Sequence, residues 1–237
     1  MRLLRDWDDL PQYMQNEAVR PYYDALSSRK VGLFFKRAFD LVAGLLLLIV
    51  IALPLLVIGV WIKIDSKGPA FFRQRRVTQY GREFRIYKFR TMTVNAEQQG
   101  SQVTIQNDSR ITRAGKALRK RRLDELPQVL NVIVGDMSFV GPRPEVPKYV
   151  ADYTDEMMAT LLMPAGVTSE CSILYRDEEK TLKGAKDVDS AYIHDVMPGK
   201  MVYNLKEIND FSFLNDIRIL WRTAVHVLFS KGEKGDG

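Results

Sequence analysis

Apolar positions recur in three patterns along the chain, and each predicts a different kind of element. Between Leu41 and Ile62, "LVAGLLLLIVIALPLLVIGVWI", no charged side chain interrupts the run. A helix apolar on every side belongs in lipid, and at ~1.5 Å per residue this one is about long enough to cross a hydrocarbon core. Burial in a soluble core is the plainer alternative. The run starts too late and is too long for a signal peptide, and no small-residue cleavage site follows it. The second pattern alternates with period two. "FFRQRRV", "TQYG" and "EFRIYKFRTM" in succession predict a β-hairpin around a glycine-containing turn. Phe84, Ile86, Lys88 and Arg90 share one face of its second strand, which starts apolar and ends in two cations. The third pattern is helical. Leu214, Ile217, Leu220, Trp221, Val225, Leu228 and Phe229 recur at helical spacing over 213–229. That helix either packs on the core or lies in a membrane interface.

Shorter signals fill the intervals. Thr112 can cap a helix through about Arg122, on which Arg119 and Arg122 are neighbours. "LPQVLNVIV" predicts a short apolar helix ended by Gly135. The prolines of "GPRPEVP", 141–147, impose a rigid extended path that holds Arg143. A helix is expected over 148–163, a polar loop over 93–109, and no clear pattern over 167–200. Ser27 or Ser28 can cap the apolar helix, and Asp65, Ser66, Gly68 and Pro69 end it. The expected organisation is an interfacial or flexible extension over 1–28, a membrane segment over 29–66, a catalytic domain over 67–230 and a disordered tail over 231–237.

Two details complicate a plain spanning helix. Pro54 removes one backbone hydrogen bond and clashes one turn back, so a kink or split is expected there. Both flanks are also basic: Arg29, Lys30, Lys36 and Arg37 before the run, and Lys63, Lys67, Arg73, Arg75 and Arg76 after it. The positive-inside rule would keep both on the cytoplasmic side. A helix broken at Pro54 that re-enters one leaflet satisfies both flanks. From these residues alone, re-entry and a kinked spanning helix are equally open.

Charge and composition narrow the partners. The 237 residues are 46% hydrophobic and 27% charged, with a net charge of +6 and a pI near 9.3. A basic balance favours an anionic partner: phosphorylated substrate, anionic membrane or nucleic acid. No recognition motif supports nucleic acid, so none is expected as a partner. Cys171 is the single cysteine, which rules out an internal disulfide; His194 and His226 stand too far apart in sequence to suggest a zinc site or a catalytic triad.

The densest chemistry is "RRLDELPQ", 121–128. Asp124 and Glu125 follow Lys116, Arg119, Lys120, Arg121 and Arg122, and precede Pro127, a residue tolerated in a helix first turn. The helix start and the arginines both depress carboxylate pKa values, so at least one of the pair should be ionised. An ionised carboxylate can attack phosphorus or bind Mg²⁺. The bland reading makes Asp124 a helix cap and Glu125 a first-turn charge.

At these residues the chain resembles the bacterial sugar transferases called monotopic phosphoglycosyl transferases. The motifs that carry the resemblance are "FFKRAFDLVAGLLLLIVIALP", "YKFRTM", "DSRITRAGKALRKRRLDELPQVLNVIVGDMSFVGPRP" and "FSFLNDIRILWRT", in order over about 30–230. The resemblance implies a sugar-1-phosphate transfer from a UDP-sugar to polyprenyl (undecaprenyl) phosphate. It proceeds through a covalent aspartyl-phosphosugar, releases UMP, requires Mg²⁺ and initiates capsule, exopolysaccharide or other glycoconjugate assembly. It assigns Asp124 as nucleophile and Glu125 as Mg²⁺ ligand. Arg119, Arg143, Lys88 and Arg90 become phosphate-binding residues, and Pro54 the break of a re-entrant helix. It further implies the bacterial inner membrane with the catalytic domain on the cytoplasmic face, and the minimal catalytic form rather than one with several N-terminal membrane helices. One stretch departs from the family: "PAGVTSECSILYRDEE" stands where many members carry a glycine-rich "PGITGLAQVNGR"-like segment. Contacts over 164–180, including any role of Arg176, therefore do not carry over. The expected fold is α+β: mostly helical, with a small antiparallel hairpin and no Rossmann domain. The rival function is a non-enzymatic membrane adaptor with a basic lipid-binding surface. The sugar, the pathway and any homo-oligomer stay open.

Overall fold

The computed structural model describes residues 4–96, 108–175, 182 and 187–229. The elements, in order, are helices α1 (Arg20–Ser27) and α2 (Lys30–Asp65), strands β1 (Phe71–Val77) and β2 (Glu83–Phe89), helices α3 (Arg113–Lys120) and α4 (Val129–Val134), and strand β3 (Met137–Val140). Then come α5 (Pro147–Val150), β4 (Ala165–Thr168), α6 (Glu170–Leu174), α7 (Val188–Ala191), a π-helical turn (Tyr192–Val196), α8 (Met197–Asn209) and α9 (Phe213–Phe229). The protein is mostly helical with a small antiparallel hairpin, as expected. β1 and β2 pair from Phe71 opposite Phe89 to Val77 opposite Glu83. A second, parallel pair, β3 with β4, was not expected.

The apolar segment forms one uninterrupted helix, Lys30–Asp65, with Pro54 inside it. This corrects the expected helix–break–helix: the missing N–H of Pro54 removes one bond from a long ladder without dividing it. Neither Ser27 nor Ser28 caps this helix; their hydroxyls donate to the carbonyls of Asp24 and Ala25 inside the preceding turn. Its lipid-like surface is open, with Ile49, Val50, Leu53 and Leu56 all more than 60% exposed. A narrow stripe faces the rest of the protein and carries polar anchors near both ends. At the first end, Arg37 donates to the carbonyls of Val132 and Ile133 (2.7 and 2.9 Å), and Asp40 accepts from the Phe139 amide (3.0 Å). Lys36 reaches the Val140 carbonyl and Asp216, both at 2.6 Å. At the other end Asp65 accepts from the Ala114 amide (3.1 Å), and Ile62 is buried with Phe89 and Leu118. Both ends are therefore fastened to one body.

Two further expectations change, and a third, left between two alternatives, loses the core-packed one. Leu10, Met14, Val19 and Leu26 of the first segment are buried in a cluster with Leu161, Leu162, Ile208 and Phe211, so this segment is core rather than a loose extension. No single helix covers 148–163: α5 ends at Val150 and a 3₁₀ turn spans Met157–Leu162. Between them Thr154 accepts from the Met157 amide through its hydroxyl (3.3 Å), a local bond that competes with helix continuation. Helix α9 keeps its expected bounds but turns its apolar stripe outward, with Leu214 and Trp221 more than 70% exposed and Asp216 and Ile219 buried. The expected loop over 93–109 falls mostly on residues outside the described ones, and the tail over 231–237 wholly so.

Where α8 meets α6, Glu207 accepts from the Glu170 amide (3.2 Å) and its carboxyl is pushed up to about 7, chiefly by burial. The unfolded chain gives up this proton near 4.5, whereas the fold keeps it until about 7. Between those values the folded state binds more protons, so stability falls as pH rises and levels off above 7. Glu207→Gln is expected to remove that slope and to gain about 2 kcal/mol at pH 8, allowing for partial solvent exposure. Urea unfolding of both proteins from pH 4.5 to 8 checks it; parallel curves would refute it.

Candidate active site

The site is built where the end of α3, the end of β2 and the segment after β3 converge. Thr112 caps α3 as expected, its hydroxyl accepting from the Gly115 amide (3.0 Å). Gly115 lets α3 approach the Thr91 backbone, because a Cβ there would lie 2.0 Å from the Thr91 carbonyl oxygen. That approach brings the Arg119 guanidinium to the Thr91 hydroxyl (3.0 Å). After α3, Arg122 adopts a left-handed conformation (φ 56°) and turns the chain into a 3₁₀ turn, Leu123–Gln128. A non-glycine residue is strained there, by about 1–2 kcal/mol. The turn carries Asp124 inward.

The two carboxylates behave differently. Asp124 is 8% exposed, and its Oδ1 is buried without a hydrogen-bond partner. Arg122 holds the cap position of this turn and Asp124 lies inside its first turn, so Asp124 is not its cap. Glu125 Oε1 accepts from Arg143 Nη2 (2.6 Å) and from Lys88 Nζ (3.0 Å). Burial, then the neighbouring Glu125 charge, pushes the Asp124 carboxyl up; Lys88, Arg119 and Arg122 offset this only in part. Burial would push Glu125 up as well, but Arg143 and Lys88 outweigh it and hold the carboxyl well below its ordinary value. One member of the pair is thus ionised as expected, while Asp124 moves against the expected direction. Burial also pushes the Lys88 ammonium down, countered chiefly by Glu125.

Arg119, Arg143 and Lys88 accordingly gather around the carboxylate pair. Arg90 does not join them: its Nη2 donates to the carbonyl and hydroxyl oxygens of Ser66 (2.7 and 2.9 Å), at the end of α2. Burial pushes the Arg90 guanidinium down from its ordinary value, and Asp65 offsets this in part. Pro54 lies within α2, and no bond connects it to the pair. Sequence reasoning missed Thr91 and also Asn131, which is fully buried. Asn131 accepts from the Tyr87 amide (2.9 Å) and donates to the Arg85 carbonyl (3.0 Å), so it fixes the strand that presents Lys88. A lone polar residue inside "VLNVIV" was the available signal. Arg176 lies outside the described residues. A surface depression of about 460 Å³ lies elsewhere, lined by Arg29, Gly32 and 210–214.

Among the described residues no group of three or more acidic, histidine or cysteine side chains could enclose a metal ion. Mg²⁺ usually takes one or two carboxylates and completes its shell with water and substrate phosphates. The unpartnered Asp124 oxygen and the adjacent Glu125 fit that donor set.

Comparison with known proteins places this geometry in context. The profile described as bacterial sugar transferase matches residues 31–230. The chain is 35% identical over 204 residues to the UDP-N-acetylgalactosamine-undecaprenyl-phosphate N-acetylgalactosaminephosphotransferase of Aeromonas hydrophila, covering 85% of this chain and 45% of that protein. It is 34% identical over 215 residues to the UDP-glucose:undecaprenyl-phosphate glucose-1-phosphate transferase of Escherichia coli (strain K12), covering 89% and 44%. It is 32% identical over 200 residues to the uncharacterized sugar transferase EpsL of Bacillus subtilis (strain 168), covering 84% and 90%. The chain therefore spans less than half the length of the first two relatives and most of the third.

Proposed function

The chain belongs to the bacterial sugar transferase family, and on that premise we propose that it transfers a sugar-1-phosphate from a UDP-sugar to undecaprenyl phosphate. Asp124 is the nucleophile: it attacks the phosphorus next to the sugar, forms an aspartyl-phosphosugar and expels UMP. The lipid phosphate then takes the sugar phosphate from Asp124, giving a polyprenyl diphosphate sugar. The observation that carries this reading is the asymmetry of the pair. Asp124 presents a buried oxygen bound to nothing in the protein, while Glu125 is locked by two cations.

Arg119, Arg143 and Lys88 would bind the diphosphate and spread the charge that develops during attack. Mg²⁺, held by Glu125 with Asp124 beside it, would supply further charge neutralisation on the phosphates. Burial keeps water from competing with the acceptor at Asp124.

The membrane reading is monotopic, with the exposed apolar face of the unbroken α2 set into one leaflet on the cytoplasmic side of the bacterial inner membrane. The fastening of both helix ends to one body supports it, since a spanning helix would put those ends on opposite sides. The outward apolar stripe of α9, with Leu214 and Trp221, supports contact of the same body with the interface. A lipid phosphate at headgroup depth would then meet the basic site.

The test is intact-protein mass spectrometry in nanodiscs with Mg²⁺ and a panel of UDP-sugars, without lipid acceptor. A gain of one sugar phosphate is expected with at least one donor, followed by its loss and product formation when undecaprenyl phosphate is added. No adduct with any donor, and no UMP release after the acceptor is added, would overturn the reading.

A further inference from the structure

Two residues after Arg143 the chain buries a charge that the chemistry above does not use. Glu145 is 7% exposed, Lys200 4% and Tyr192 2%. The Tyr192 hydroxyl donates to Glu145 Oε1. Lys200 Nζ lies 2.7 Å from the Tyr192 hydroxyl and 3.3 Å from Glu145 Oε1. The backbone of the same segment is fixed as well: the Val77 amide donates to the Glu145 carbonyl (2.9 Å), and Arg76 Nη1 donates to the Pro144 carbonyl (2.9 Å).

We propose that Lys200 and Tyr192 are positioning residues for Arg143, acting through Glu145. This rests on the function proposed above and adds a part of the site supplied by 188–200. The lever is covalent. Arg143 stands between Pro142 and Pro144, and Val146 is followed by Pro147. A residue before proline is held extended and proline fixes its own φ, so 142–147 has few ways to bend. Clamping Glu145 therefore clamps Arg143, whose guanidinium must meet Glu125 and the donor phosphates together. Stability alone explains the cluster poorly. A buried lysine–glutamate pair gains little over an apolar filling of the same volume, so a specificity role is the better-motivated one. The π-helical turn Tyr192–Val196 points the same way, since such turns recur at functional sites and depart from the plain helix on either side.

The test measures kcat and KM for the UDP-sugar in nanodiscs, together with thermal unfolding. Lys200→Met is expected to lower kcat/KM about 10- to 100-fold, and Tyr192→Phe by a smaller factor, with the donor KM raised. Lys200→Arg should recover part of the loss. In an Arg143→Ala background, Lys200→Met should cost less than about twofold more, because the group it positions is gone. An equal loss in both backgrounds, or a kcat/KM for Lys200→Met within twofold of wild type, would overturn the proposal. Should Lys200→Met fail to fold, Tyr192→Phe removes one hydroxyl only and is read by the same cycle. A wild-type protein that yields neither adduct nor UMP would instead refute the transferase reading and this inference with it.

Discussion

Asp124→Asn is expected to abolish turnover while leaving the protein folded and slightly more stable. The amide keeps the shape of the side chain but cannot form the acyl phosphate, so the loss should exceed about 10³-fold. Stability should move the other way. The wild-type carboxylate places an unpartnered oxygen in a buried setting that disfavours its charge. Removing an unsatisfied buried charge is worth about 1–3 kcal/mol. Denaturant unfolding of metal-free protein, run beside a UMP-release assay, reads both effects. Residual turnover above about 1% of wild type would sink Asp124 as nucleophile.

Glu125→Gln is expected to lower activity about 10²-fold or more and, unlike its neighbour, to destabilise the fold. Its Oε1 is the shared acceptor of Arg143 and Lys88, and all three side chains are substantially buried. The neutral amide leaves the two cations facing each other without the carboxylate that bridged them, with only Asp124 remaining near Lys88. Breaking a buried pair from one side costs about 3–5 kcal/mol. Lys88 should partly relieve this by losing its proton, since burial already pushes it down. The same two assays apply, with a Mg²⁺ titration added: half-saturation should move to higher metal concentration. If Glu125→Gln unfolds no more easily than wild type, the ion-pair cluster does not hold the site together.

These opposite signs come from adjacent residues of the same chemistry, which explains what the sequence could and could not tell. Local signals were legible. The Thr112 cap, the Gly135 stop, the hairpin around Gly81 and the bounds of α9 depend on neighbours in sequence. The pair itself stood out because five basic side chains precede Asp124 within "KALRKRR". What the pair would feel was not legible, because its burial comes from a left-handed turn at Arg122 and a strand distant in sequence. The parallel β3–β4 pair was hidden for a similar reason. It depends on two glycines that must nearly touch: a Cβ on Gly166 would lie 2.2 Å from the Gly141 amide nitrogen. Arg90 shared a face with Lys88 in the alternation, yet the end of α2 captures it. The outward stripe of α9 shows the limit of periodicity, which finds a face without saying what it meets.

The two-ended fastening of α2 bears on how the protein is made. Lys36, Arg37 and Asp40 bind one part of the body and Asp65 another. On the monotopic reading proposed above, a chain tied in this way does not export the basic residues Lys63, Lys67, Arg73, Arg75 and Arg76. Carrying each such charge through a membrane potential of about 100 mV involves about 2.3 kcal/mol. Insertion then requires no translocated segment, so the final orientation should be indifferent to the proton-motive force under which the ribosome delivers the chain.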